Sequence, residues 1–319
     1  MQHNRLGKAG LKISELSFGS WVTFHNQLSI KEVMDTMSIA YDHGVNFFDN
    51  AEVYAHGKSE EIMGEALKKL AWPRMKYMVS TKFFWGISDG PNEKNTLNRK
   101  YLLHAMECSL KRFSLEYVDI VYCHRPDPHT PLEETVWAMH DIISKGQALY
   151  WGTSEWSADE IRAAYLIAEK HHLHKPIVEQ PQYNLFHRAK VEHEFSRLYE
   201  DFGVGLTTWS PLSSGLLSGK YLDKIPNNSR AQMKSMSWLR EEIDNEKKKN
   251  QIKQFCILAS DLSMKPSQLA ISWCLTNPHV SSVILGASSN DQLIENLKST
   301  EYKKLLTPEI VLKLNTIFC

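Results

Sequence analysis

The sequence predicts an α/β fold, a (β/α)8 TIM barrel, from three observations. Eight short apolar runs alternate with eight amphipathic stretches from one end of the chain to the other. Composition does not break near the middle of the 319 residues, so the alternation reads as one barrel domain over 1–319. No glycine fingerprint of a doubly wound dinucleotide fold is present, since Gly203-Val204-Gly205 fails at the third glycine.

The strands are expected near 15–21, 45–49, 77–82, 118–123, 147–153, 177–181, 204–209 and 281–285. The helical patterns between them fall near 30–43, 58–70, 98–113, 132–145, 157–171, 190–202, 265–276 and 289–298. Ser29, Thr130-Pro131 and Ser157 are start signals, and Gly146 is a stop signal. Three segments stand outside the alternation. Residues 4–13 form a short β-hairpin pattern suited to capping the barrel's bottom. Residues 211–240 make a long loop after the seventh strand, a length often tied to function. Residues 238–262 form an extra, charge-rich helix whose Arg240-Glu241-Glu242 and Lys247-Lys248-Lys249 mark a solvated face.

Lys+Arg and Asp+Glu both number 37, so the chain lacks the basic field that nucleic acid demands. No apolar run is long enough for membrane insertion, and Met1 to Gly7 carries no signal core. A cytoplasmic protein is the expectation. The five cysteines include no CxxC pair, which suits a reducing compartment, and Cys123 reads as a buried strand residue. Two further motifs fail. Gly215 to Lys220 is one residue short of a phosphate loop, and Tyr221 stands where Ser or Thr would hold Mg²⁺. His171-His172-Leu173-His174 has no completing ligands, so no metal is expected, and its place at a helix end suits the dipole.

Four ionisable residues carry the chemistry. Asp49, Lys82 and His124 end the second, third and fourth apolar runs, and Tyr54 follows the first of these three. Barrel enzymes work at the C-terminal ends of their strands. A free tyrosine has a pKa of about 10 and is a poor acid at neutral pH. The Lys82 ammonium is expected to lower that pKa, with Asp49 holding the lysine charged and oriented. His124 would donate a hydrogen bond to a substrate oxygen. Such a proton source needs a hydride, which no side chain supplies, so a nicotinamide cofactor is implied. Singly, each residue has a plain structural role as cap, packed ring, surface cation or core histidine. Their convergence is what points to chemistry. At Gly286 to Gln292 a helix N-terminus could hold phosphate, or Ser289 and Gln292 could form a capping box.

Phe48-Asp49-Asn50-Ala51-Glu52-Val53-Tyr54 followed by Ser80-Thr81-Lys82 resembles the aldo-keto reductase signature. The likeness continues through His124-Arg125-Pro126-Asp127-Pro128, Tyr150-Trp151-Gly152-Thr153-Ser154, Trp209-Ser210-Pro211-Leu212 and Gly286-Ala287-Ser288. Together these resemble the branch that includes the beta subunits of voltage-gated potassium channels and their bacterial relatives. The resemblance implies the same barrel, an NADPH cofactor and reduction of aldehydes or ketones to alcohols. It implies Asp49, Tyr54 as the acid, Lys82 and His124 as catalytic residues, with Asp49 also beside the cofactor. Gly19, Ser20, Trp21 and Gln27 would lie along the first βα loop. Ser154 and Gln180 would bond the nicotinamide carboxamide, and Trp209 would stack on its ring. Ser210, Pro211, Leu212, Ser214, Lys220 and Arg230 would wrap the pyrophosphate and adenosine. Gly286, Ser288, Gln292, Glu295 and Asn296 would hold the adenine end. Trp21, Trp85 and Tyr122 would wall the substrate pocket.

Channel beta subunits usually carry asparagine at the position of His124, so the histidine favours a working enzyme. The alternative implied by the same resemblance is a redox-sensing auxiliary subunit that binds NADPH with little turnover and has a channel partner. Glu155 stands where arginine or asparagine is common, which argues against its touching the cofactor. A homo-oligomer of four or more subunits is also expected from the resemblance.

Overall fold

The computed structural model describes residues 1–21, 29–227, 229–233 and 236–319. Strands β1 (His3–Arg5) and β2 (Lys12–Ser14) form the antiparallel N-terminal hairpin. Eight further strands follow: β3 (Leu16–Gly19), β4 (Phe47–Asp49), β5 (Met78–Phe83), β6 (Val118–Cys123), β7 (Ala148–Thr153), β8 (Val178–Glu179), β9 (Gly205–Thr208) and β10 (Val280–Leu285). They close into a barrel in chain order, with β10 pairing β3. All eight pairings are parallel.

Period-2 alternation explains how one strand serves two cores. Phe47, Met78, Ile120, Tyr122 and Val178 gather with Leu6 and Ile13 of the hairpin in one buried cluster. The hairpin therefore plugs the barrel's bottom, as its pattern predicts. Phe48, Val79, Val121, Cys123 and Trp151 pack in the second cluster, beneath the helices. β8 is shorter than expected because Pro181, close beyond it, has no N–H for a ladder.

The helices are α1 (Ile30–Asp42), α2 (Lys58–Leu70), α3 (Arg99–Phe113), α4 (Leu132–Ser144), α5 (Ala158–Lys170), α6 (Ser196–Asp201), α7 (Trp238–Asp244), α8 (Glu246–Asp261), α9 (Pro266–Thr276), α10 (Asn290–Leu297), α11 (Ser299–Tyr302) and α12 (Pro308–Ile317). Ser29 with Glu32, and Ser157 with Glu160, form full capping boxes at α1 and α5. Gly146 takes φ 71°, a left-handed turn after α4 that glycine adopts without penalty.

Two helical expectations are corrected, and one helix was not expected. The charge-rich stretch 238–262 is two helices. Asn245 is extended between them, and its side chain accepts from the Lys248 N–H to start α8. The 190–202 pattern opens with a π-turn at Lys190–Glu194 before α6. The C-terminal α12, capped by Thr307 with Pro308 in its first turn, lies beyond the predicted alternation.

Candidate active site

Alternation along the strands aims three candidate side chains inward at the barrel's C-terminal rim. Asp49 ends β4, Lys82 is the penultimate residue of β5, and His124 follows β6. Lys82 and Asp49 are fully or almost fully buried, and Lys82 Nζ lies 2.6 Å from Asp49 Oδ2. The ammonium also donates to the Asn50 carbonyl at 2.7 Å. Asp49 Oδ1 accepts from Ser80 Oγ at 2.8 Å and Gln180 Nε2 at 3.0 Å. Every oxygen of the carboxylate is thereby engaged, as a buried charge requires.

Tyr54 is brought in by an unusual loop. Ala55, His56 and Gly57 take φ values of 49°, 52° and 86° in succession. Two of them carry a Cβ that disfavours this conformation, and such strain is characteristic of functional sites. The turn feeds α2 and leaves Tyr54 Oη 3.4 Å from Lys82 Nζ. The Tyr54 and His124 rings are 5.9 Å apart at 75°, and Trp85 meets His124 at 6.5 Å and 75°. The four residues read from the sequence are thus side by side.

Electrostatics differ from expectation at Tyr54. Burial raises its pKa above the ordinary tyrosine value, Lys82 opposes this, and Asp49 adds to the rise. The phenol is held protonated at neutral pH, and burial outweighs the ammonium. Burial, then Lys82 and Arg125, hold the His124 pKa well below the usual histidine value. A neutral imidazole faces the site, with Nδ1 buried and lacking a hydrogen-bond partner among the described residues.

Two carboxyls nearby behave as acids of near-neutral strength. Burial, reinforced by the Glu60 carboxylate, raises the Glu52 pKa from 4.5 to about 8, and burial raises Glu179 to about 8. The folded protein therefore retains protons that the unfolded chain releases between about pH 4.5 and 8, so stability falls as pH rises through that window. Glu52→Gln mimics the protonated form. Its stability relative to the parent should increase by about 1 kcal/mol per pH unit across that window. Urea unfolding at pH 5.5 and 7.5 checks this, and a pH-independent difference would refute it.

The remaining predicted residues surround this cluster. Gly19 permits close approach to β10, since a Cβ there would come 2.7 Å from Ile284 Cγ2. The Ser20 N–H donates to the Asp49 carbonyl at 3.0 Å. Trp21 is half-exposed with the Arg230 guanidinium 5.5 Å from its ring. Gln27 lies outside the described residues. Ser154 Oγ donates to the Gln180 carbonyl at 2.9 Å. Beyond β9, Trp209 leads into a loop in which Ser210, Ser213, Ser214 and Gly215 all have positive φ. Pro211 and Leu212 lie within it, and the Ser214 N–H donates to Ser210 Oγ at 3.2 Å. The Lys220 ammonium is tucked over Gly215, 3.1 Å from where a Cβ would sit. Desolvation, then the Arg230 guanidinium, lower the Lys220 pKa. Arg230 Nη2 lies 3.3 Å from the Cβ position of Gly286. Neither cation has a carboxylate partner among the described residues.

At α10 the Ser289 hydroxyl accepts from the Gln292 N–H, while Gln292 Oε1 accepts from the Ser288 N–H and hydroxyl. The cap is real but reaches one residue further back than a capping box. The Glu295 carboxylate pairs with Lys265 and accepts from Ser267 Oγ. Asn296 is buried.

Tyr122 is corrected. It is fully buried in the cluster at the barrel's bottom, with its hydroxyl 3.0 Å from Thr207 Oγ1, one layer below His124. It supports the floor of the site and does not wall the pocket. Trp85, 38% exposed, does stand at the rim. Two neighbours were not expected in functional roles. Arg125 bonds the His124 carbonyl, reaches Ser154 Oγ at 3.4 Å and lies 5.8 Å from the Trp85 ring. Glu155 accepts from the Trp209 indole. The only signal for either was adjacency to a site residue.

The sequence profile of the Aldo/keto reductase family matches residues 15–314. The chain belongs to that family. Its members are oxidoreductases that generally use NAD(P)H, and the barrel with its N-terminal hairpin is theirs. A relative from Oryza sativa subsp. japonica, described as a probable voltage-gated potassium channel subunit beta, is 52% identical over 99% of this chain and 96% of its own. One from Arabidopsis thaliana, described in the same words, is 51% identical over 99% of this chain and 96% of its own. Among the described residues, no helix is long and apolar enough to cross a membrane.

Proposed function

We propose that this aldo/keto reductase is a cytoplasmic, NADPH-dependent reductase of aldehydes and ketones in which Tyr54 donates the proton. The observation that carries the reading is Tyr54 Oη 3.4 Å from a buried Lys82 that Asp49 fixes at 2.6 Å. A reduced nicotinamide, when bound, supplies the hydride. His124, neutral and beside Tyr54, orients the carbonyl oxygen. Tyr54 gives its proton to that oxygen as negative charge develops there, because an alkoxide is far more basic than a phenolate. Lys82 then stabilises the phenolate, and Asp49 keeps Lys82 charged. Trp21 and Trp85 supply apolar walls with few polar groups to define a ligand, which suits broad carbonyl specificity.

The residues present fit the cofactor. Lys220 and Arg230 are neighbouring cations without carboxylate partners among the described residues, beside the positive-φ loop that runs from Ser210 to Gly215. Ser154, Gln180 and Trp209 would hold the nicotinamide end. Ser210 to Ser214, with Lys220 and Arg230, would hold the phosphates, and Gly286, Ser288, Gln292, Glu295 and Asn296 the adenine end. Arg230→Met should weaken NADPH binding about 10- to 100-fold, the worth of a charge-assisted hydrogen bond, and NADH binding less. Fluorescence titration with both dinucleotides measures this. No binding of either, together with no loss of reduced-dinucleotide absorbance on adding aldehydes, would overturn the reading.

The names of the plant relatives favour a second role. The chain could serve as the auxiliary subunit of a potassium channel, assembled as a homo-oligomer of four or more copies, with its redox state of cofactor read by the partner. Retention by membrane fractions containing such a channel, with negligible aldehyde turnover, would favour this role over the enzyme.

A further inference from the structure

Glu155 follows Ser154 at the C-terminal end of β7 and takes φ 61°, a left-handed conformation that disfavours a side chain. What holds it there is a set of contacts from three other segments. Its Oε1 accepts from the Gln182 N–H at 2.5 Å and from the Trp209 indole Nε1–H at 3.0 Å. Its Oε2 lies 3.1 Å from Lys190 Nζ. Gln182 and Trp209 are themselves bridged in parallel beyond β8 and β9. The carboxylate therefore joins the rims of β7, β8 and β9 and ends on the edge of one ring.

An indole packed only by its faces can rotate about χ2 or tilt, and a hydrogen bond to its single N–H removes that freedom. The Glu155 charge is largely spent on Lys190 and two N–H donors, so its effect on Trp209 is one of orientation more than of field. We propose that Glu155 is a positioning residue that fixes the plane of Trp209, and through it the nicotinamide ring that Trp209 would stack on. The proposal rests on the reductase reading above. It also accounts for a carboxylate at a position where the resemblance leads one to expect arginine or asparagine: here residue 155 works on the protein's own indole.

The test uses Glu155→Ala, Glu155→Gln, Trp209→Phe and the double variant Glu155→Ala/Trp209→Phe. The first readout needs no cofactor. The ¹H–¹⁵N resonance of the Trp209 indole, identified by its loss in Trp209→Phe, should shift and exchange faster in Glu155→Ala. It should stay near the parent position in Glu155→Gln, whose amide oxygen can still accept. The second readout is kinetic. Glu155→Ala should lower kcat about 10-fold, the scale of a small misplacement of reacting groups, with carbonyl KM within about twofold. Glu155→Gln should recover most of that loss. In the Trp209→Phe background, removing Glu155 should cost nothing further. An unmoved indole resonance in Glu155→Ala would overturn the proposal, as would a full additional loss in the double variant. Parent protein that takes up no NADPH would overturn the reductase reading and the nicotinamide part of this proposal together, a failure distinct from an indole that ignores Glu155.

Discussion

Tyr54→Phe is expected to lower kcat for aldehyde reduction by about 10²- to 10⁴-fold, the usual contribution of a positioned general acid. The substitution removes one oxygen and leaves the ring, so the 5.9 Å contact with His124 and the packing over Lys82 persist. Cofactor binding should be nearly unchanged, because the residues proposed to hold the phosphates and adenine lie on other loops. Rapid mixing with an aldehyde, followed at the reduced-nicotinamide absorbance, gives the rate, and fluorescence quenching gives the affinity. The raised pKa of Tyr54 adds a second expectation. With the phenol protonated throughout the neutral range, the rate of reduction should not fall between pH 6 and 8 through loss of the tyrosine proton. A parent-like rate in Tyr54→Phe would assign the acid to another group.

Much of this site was legible because strand ends are legible. Asp49, Lys82 and His124 each close an apolar run, and period-2 alternation says which of their neighbours share their face. Alternation is silent on depth. Tyr122 and His124 face the same way, but two residues at about 3.3 Å each put Tyr122 a layer lower, in the plug formed with Leu6 and Ile13. The acidity of Tyr54 departs from the sequence expectation for a related reason. A nearby lysine can be inferred from sequence, whereas burial of the hydroxyl is a tertiary property, and burial is the larger influence. Glu155 shows the limit most clearly. Its partners Gln182, Lys190 and Trp209 come from three later segments, and nothing in the local sequence joins them. The break at Asn245 hides inside a polar run that continues on both sides of it. α12 carries an ordinary start, Thr307 then Pro308, which the strand–helix alternation does not call for.

Lys82→Met separates what the buried pair does for the fold from what it does for the chemistry. Lys82 is fully buried and Asp49 nearly so, so removing the ammonium leaves a carboxylate in a low-dielectric site with, among the described residues, the Ser80 and Gln180 donors. Breaking such a pair from one side typically costs about 3–5 kcal/mol, and Lys82→Met should lose stability on that scale in urea unfolding. Asp49→Asn/Lys82→Met removes both charges and keeps similar volumes. Replacing a whole buried pair is often close to neutral, so the double variant should recover most of the lost stability. It should recover no activity, because the Tyr54 phenolate would still lack the cation 3.4 Å away that stabilises it as the proton leaves. Equal stability losses in the single and double variants would mean that the Lys82 stem, and not its charge, holds this part of the barrel together. Restored turnover in the double variant would remove Lys82 from the proton-transfer step altogether.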